Sequence, residues 1–141
     1  MIFLDTDHFS IATQRHYANH SQLTERLRQA TDPVFLPIIA VEEQLRGWLG
    51  RIHAARDEAR RIDDYRNKLI NLIEVLPDWD VVPWDAEAVE EFDRQRQSGV
   101  RIGSQDLRIG CLAITHGALL LTRNAKDFSR VHGLRFESWL D

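Results

Sequence analysis

A chain of 141 residues, 43% hydrophobic and 28% charged, has the size and composition of one globular domain with a buried core. Its longest apolar run is far too short to cross a bilayer, and its one cysteine, Cys111, excludes an internal disulfide and a cysteine-built zinc cluster. A formal net charge of −4 gives no global electrostatic reason to bind nucleic acid, although basic residues concentrate between Arg46 and Lys68. The opening Met1-Ile2-Phe3-Leu4-Asp5 lacks the basic and apolar segments of a secretory leader, so a reducing cytoplasm is the expected setting.

Ile2-Phe3-Leu4 is a short apolar run that stops at Asp5-Thr6-Asp7, the pattern of a buried strand with a polar end. A helix is predicted over His8 to Ala12, and a second one capped by Ser21. Val34 to Ile38 reads as another strand. Ile39 to Trp48 has helical period through Val41, Leu45 and Trp48. A longer helix follows from about His53 to Leu76, with Ile62, Tyr65, Leu69, Leu72, Ile73 and Leu76 inward. Together they predict a helical hairpin over about 39–76 that turns near Gly50. Val81 to Trp84 reads as a third strand. Asp85 then caps a helix over Ala86 to Gln97 that carries Ala88, Val89 and Phe92 inward.

The next helix is predicted to start with Ser104 as N-cap and to end at His116-Gly117. Leu107, Cys111 and Ile114 form its apolar face, and Asp106 falls in its first turn, where the helix dipole favours an ionised carboxylate. Ala118 to Leu121 is a fourth strand, ending in Thr122-Arg123-Asn124. A short helix over Lys126 to Ser129 and a strand near Leu134 to Phe136 follow. Short apolar strands alternating with helices predict a single α/β domain over 1–141. Its architecture is a Rossmann-like three-layer sandwich, with a central parallel sheet of about four to five strands flanked by helices.

In such a fold ligands bind outside the carboxyl ends of the strands. Asp5 and Asp7 follow the first strand, Asp127 follows the fourth, and Asp106 and Glu43 lie near helix starts. Carboxylates crowded into one cleft repel one another, and they are tolerated mainly when a divalent cation neutralises them. Oxygen-only ligands favour Mg²⁺ or Mn²⁺ over zinc. Taken singly, each acid also fits a capping role. The histidines show no metal-type spacing; His8 lies near the acids, in a packing or substrate-touching role. No glycine-rich phosphate loop and no serine nucleophile elbow is present. The tryptophans Trp48, Trp79, Trp84 and Trp139 suit core or interface positions.

Several of these segments resemble motifs of one known family. Leu4-Asp5-Thr6-Asp7 resembles an L-D-T-N/D motif, and Glu43-x-x-x-Gly47 an acid placed four residues before a glycine. Ile102-Gly103-x-x-Asp106-Leu107-x-Ile109 resembles I-G-x-x-D-x-x-I, and Thr122-x-Asn124-x-x-Asp127-Phe128 resembles T-x-N-x-x-D-F. The order and spacing are those of PIN domains, in particular the VapC-type toxins of bacterial toxin–antitoxin pairs. The resemblance implies a PIN-like fold and a Mg²⁺- or Mn²⁺-dependent endoribonuclease acting on single-stranded or loop RNA. It also implies a cognate antitoxin and a homodimer, for which the apolar hairpin faces and exposed tryptophans would serve.

Carried over by position, the acids are Asp5, Glu43, Asp106 and Asp127. Asp5 and Asp106 would hold the metal, and Glu43 and Asp127 would act directly or through water. Thr6, Asp7, Thr122 and Asn124 would support them, and Arg123 and Arg46 would contact substrate phosphates. Glu42 stands beside Glu43, and the spacing to Gly47 favours Glu43. A receiver-type phosphoacceptor also carries acids at strand ends, but the late strand lacks the lysine it needs. A PIN domain that processes other nucleic acids, or that only binds RNA or protein, keeps the same fold.

Overall fold

The computed structural model describes all of residues 1–141. Its five strands are β1 (Ile2–Leu4), β2 (Val34–Pro37), β3 (Val81–Val82), β4 (Leu119–Leu121) and β5 (Arg135–Glu137). They form one parallel sheet in the order β3-β2-β1-β4-β5. The chain leaves β1 on one side through β2 and β3, then returns to lay β4 on the other side. Strand order therefore reverses beside β1, which opens a crevice at the carboxyl ends of β1 and β4. The register sets Leu4 against Leu121, so Asp5 and Thr122 emerge side by side.

Side-chain alternation along the strands builds a core on each face of the sheet. Phe3 and Leu120 point to one face, where Ile109, Leu112 and Ala113 of α7 (Ser104–Thr115) and Ala88 of α6 (Ala86–Gln97) cover them. Ile2, Leu4, Leu36 and Leu121 point to the other. There Phe9 of α1 (Thr6–Thr13), Leu23 of α2 (His20–Gln29) and Val41 of α3 (Ile38–Ala54) pack with Trp139 and Leu140. These are the three expected layers. Cys111 is wholly buried, and burial first, then the charge of Glu91, pushes its thiol up to about 12, so it packs as a small apolar residue.

The helix limits depart from the sequence reading in ways that have physical causes. α1 begins earlier, because the Asp5 carboxylate accepts from the His8 N–H and caps it. Neither Ser21 nor Ser104 is a cap: each lies inside its helix, and the Asn19 and Gly103 that occupy the cap positions make no side-chain cap bond. Ser104 Oγ instead accepts from Arg96. α3 runs straight through Gly50 to Ala54. The hairpin turns at Ala55 to Asp57, where Asp57 caps α4 (Glu58–Asp63) by accepting from Ala59 N–H.

The second arm is not one regular helix. A π-helical stretch, Asp64–Ile70, joins α4 to α5 (Asn71–Val75), and a 3₁₀ turn ends it. The wider π turns rotate the predicted apolar face. Leu72 is buried at 4% exposure, whereas Ile62, Tyr65 and Ile73 are exposed at 59%, 48% and 58%. β3 stops before Pro83, which has no N–H to donate to a ladder. Val89 points outward, and none of the four tryptophans is among the exposed apolar residues; Trp139 is buried. A four-residue helix, α8 (Ala125–Phe128), follows β4.

Candidate functional site

Asp5 ends β1 and is tied to β4 by its backbone N–H, which donates to the Leu121 carbonyl at 3.1 Å. Its Oδ1 accepts from the His8 backbone N–H at 2.8 Å and sits 3.0 Å from His8 Nδ1. Only 9% of Asp5 is exposed. The next residue, Thr6, donates from Oγ1 to Glu43 Oε1 at 2.8 Å, which brings the second turn of α3 to the same edge. Glu42 lies outside this contact: it pairs with Arg46 at 2.7 Å and accepts from Gln105 Nε2 at 2.8 Å. The Gln105 bond, foremost, lowers the Glu42 pKa.

On the other side of the crevice, Thr122 is buried at the end of β4, and its Oγ1 accepts from Asn124 N–H at 3.0 Å. That bond sets Asn124, whose Nδ2 lies 3.0 Å from Asp127 Oδ2 and 3.3 Å from Asp106 Oδ2. Asn124 also caps α8 by accepting from Asp127 N–H. One amide therefore bridges an acid from the start of α7 and an acid from α8.

The electrostatics tie the two sides together. Burial raises the Glu43 carboxyl, and the charges of Asp106, Asp5 and Asp7 raise it further against the Thr6 bond. Burial also raises Asp106, and Asp127, Asp5 and Asp7 add to it against the Asn124 bond. This reverses the expectation that the helix dipole would favour ionised Asp106. A dipole term at a helix start is worth only about 0.3–1 kcal/mol, and desolvation together with several like charges outweighs it. Asp7 is exposed and reaches both groups only through its field.

The acids line a cleft rather than a finished cage, since no three His, Cys, Asp or Glu side chains gather as one metal-holding group. The donor set is nevertheless all oxygen, and two of its members have their carboxyls raised by burial and then by their neighbours' charge. Such a set suits a hard divalent cation, which would relieve that repulsion. Beside the acids lies a groove of about 200 Å³ lined by Thr6, Glu43, Gly47, Trp48 and Arg51. Arg51 also lines a hollow of about 400 Å³ with Arg56 and Arg60.

Of the basic residues proposed from the sequence, Arg46 is taken up by Glu42, and Arg123 is exposed and makes no ion pair. Two residues beside the acids were not among the proposed site residues, although His8 was read as lying near them. Arg51 was one basic residue among several, and its Glu43-x-x-x-Gly47-x-x-x-Arg51 spacing was the available signal. His8 is wholly buried and bonded to Asp5; its place three residues after the motif acid was the available signal.

The family model described as PIN domain matches residues 2–134. Over 49 residues the chain is 45% identical to Ribonuclease VapC1 of Rickettsia felis, covering 35% of this chain and 34% of that protein. It is 39% identical over 44 residues to Ribonuclease VapC1 of Haemophilus influenzae, covering 31% and 33%. These matches thus span about a third of the relatives' length. Among solved structures, VapBC-1 from nontypeable Haemophilus influenzae superposes with a TM-score of 0.74 at 21% identity, over 100% of both chains. VapBC2 from Rickettsia felis, solved bound to a promoter DNA fragment, gives 0.72 at 24% identity over 99% of both. Identities this low speak for the fold alone, and that fold agrees with the family match over almost the whole length. The chain belongs to the PIN-domain family.

Proposed function

We propose that this protein is a Mg²⁺- or Mn²⁺-dependent endoribonuclease that cleaves single-stranded or loop RNA and serves as the toxin of a toxin–antitoxin pair. The observation that carries the reading is the convergence of Asp5, Glu43, Asp106 and Asp127 from four separate elements on one crevice. There, burial and mutual repulsion raise the Glu43 and Asp106 carboxyls from their ordinary values. The VapC ribonucleases that match in sequence and the VapBC complexes that share the fold support the same reading.

Asp5 and Asp106 would hold the ion, with Glu43 and Asp127 binding directly or through water. A bound divalent cation would make water more acidic and screen the charge of a scissile phosphate. Thr6 orients Glu43, and Asn124, set by Thr122, spaces Asp106 from Asp127. Glu43, whose proton affinity is raised, would accept a proton from an attacking water. Arg51, which lies 4.0 Å from Asp64 and 5.4 Å over the Trp48 ring, would with Arg56, Arg60 and the Glu42-paired Arg46 offer cations to the phosphates of a strand lying along the groove. Arg123 is a further phosphate contact in the same reading.

The homodimer, the antitoxin and the cytoplasmic setting belong to the proposal. The half-exposed apolar residues of the hairpin support a protein partner, and free Cys111 suits a reducing compartment. The test is cleavage of single-stranded, hairpin and DNA oligonucleotides with Mg²⁺, with Mn²⁺ and with chelator. RNA should be cut only with metal. Asp106→Ala should lose at least about 100-fold in rate, the upper range for losing a residue that merely supports a ligand. Full activity in chelator or in Asp106→Ala overturns the mechanism, and preferential cutting of DNA overturns the substrate.

A further inference from the structure

We propose that His8 is a positioning residue: a neutral imidazole, protonated on Nδ1, strung between the Trp139 backbone and Asp5, which holds Asp5 with only Oδ2 free for a metal ion. The inference rests on the metal-site reading above. The hydrogen bonds assign the tautomer. The Trp139 N–H can only donate, and it points at His8 Nε2 at 3.2 Å, so Nε2 is an unprotonated acceptor. Nδ1 lies 3.0 Å from Asp5 Oδ1, an oxygen that already accepts the His8 backbone N–H, so Nδ1 carries the proton and donates. Protonation of both nitrogens would set one N–H against another at Trp139.

The ring is wholly buried, so its two nitrogens take their partners from inside the protein. Oδ1 of Asp5 thus takes two donors, whereas Oδ2 takes none from the protein. The far end of the string is fixed independently of His8. Trp139 Nε1 donates to Glu137 Oε1 at 2.8 Å, Arg26 lies over its ring at 4.3 Å, and Asn19 donates to the neighbouring Leu140 carbonyl at 3.4 Å. The segment after β5 therefore sets the azimuth of the acid after β1. Ligating carboxylates held by such outer hydrogen bonds lose affinity for metal when the bonds are removed.

Three variants separate positioning from packing. His8→Leu keeps bulk and removes both bonds. His8→Asn puts an amide nitrogen where Nδ1 stands and can still donate to Asp5. His8→Gln reaches Trp139 with its carbonyl but cannot hold Asp5 in the same way. Mn²⁺ titration by calorimetry without RNA, alongside thermal denaturation, should show affinity lowered about 10–100-fold in His8→Leu. Affinity should be largely restored in His8→Asn, while in His8→Gln only thermal stability recovers.

Unchanged Mn²⁺ affinity in His8→Leu, or equal rescue by Asn and Gln, overturns the proposal. Wild-type protein that binds no Mn²⁺ sinks the metal-site reading instead. The imidazole state is read separately, in the metal-free wild type, from ring ¹⁵N shifts: a neutral Nδ1–H tautomer is expected. An Nε2–H tautomer or an imidazolium overturns the assignment whatever the metal does.

Discussion

Asp106 shows how far a single side chain's setting can invert its local prior. Its place in the first turn of α7 favours ionisation, yet burial and the charges of Asp127 and Asp5 push its carboxyl up. A carboxyl whose folded pKa lies above its unfolded value is disfavoured in its ionised form. Its contribution to stability is therefore intact at low pH and declines as pH rises from the unfolded to the folded pKa, and the same sign holds for Glu43. Metal-free protein should accordingly gain stability at neutral pH when Asp106→Asn removes the charge, by no more than the roughly 1 kcal/mol ceiling of solvent-screened charges, with the gain vanishing below the unfolded pKa. Thermal denaturation in chelator across pH checks this. A variant less stable than wild type at pH 7 would show that the carboxylate is stabilising. The Glu42 and Glu43 pair makes the complementary point. Adjacent residues on a helix lie about 100° apart, so Thr6 takes one and Arg46 and Gln105 take the other.

At the level of elements, the hairpin is where local sequence misleads most. Gly50 reads as a turn because glycine weakens a helix, but α3 continues through it to Ala54 and the chain turns only at Ala55 to Asp57. An added Cβ at Gly50 meets nothing within 4 Å, so Gly50→Ala should stabilise the protein by about 0.5–1 kcal/mol in urea denaturation. Gly117 is the opposite case. It follows α7 at φ +62°, where alanine is strained, so Gly117→Ala should destabilise by about 1 kcal/mol. A turn at Gly50 in solution would reverse the first sign. The π-helical stretch Asp64–Ile70 has no equally simple sequence mark, because its effect is to rotate a face rather than to end a helix.

For the molecule as a whole, the apolar residues that the hairpin fails to bury are the counterpart of the acidic crevice. Leu49 on the first arm and Ile62, Tyr65, Ile70 and Ile73 on the second are each about half exposed. The proposed homodimer would cover this surface. Ile62→Asp combined with Ile73→Asp should shift the sedimenting mass from dimer to monomer while leaving the circular dichroism of the fold unchanged. A dimer that persists in the double variant would place the interface elsewhere.

Strand and helix order, the parallel sheet and the positions of Asp5, Asp106 and Asp127 at element ends were legible from residue pattern alone. Burial on both faces makes short strands continuously apolar, and a polar residue must mark where each one leaves the core. Glu43 was legible through the family resemblance that its spacing to Gly47 carries, not through any local rule. Which oxygens meet, that Asn124 bridges Asp106 and Asp127, and that His8 joins Asp5 to Trp139, are matters of long-range packing. His8 and Trp139 stand 131 positions apart. Local propensity carries no information about a contact between the segment after the last strand and the first turn of α1, and in the proposal that contact orients Asp5.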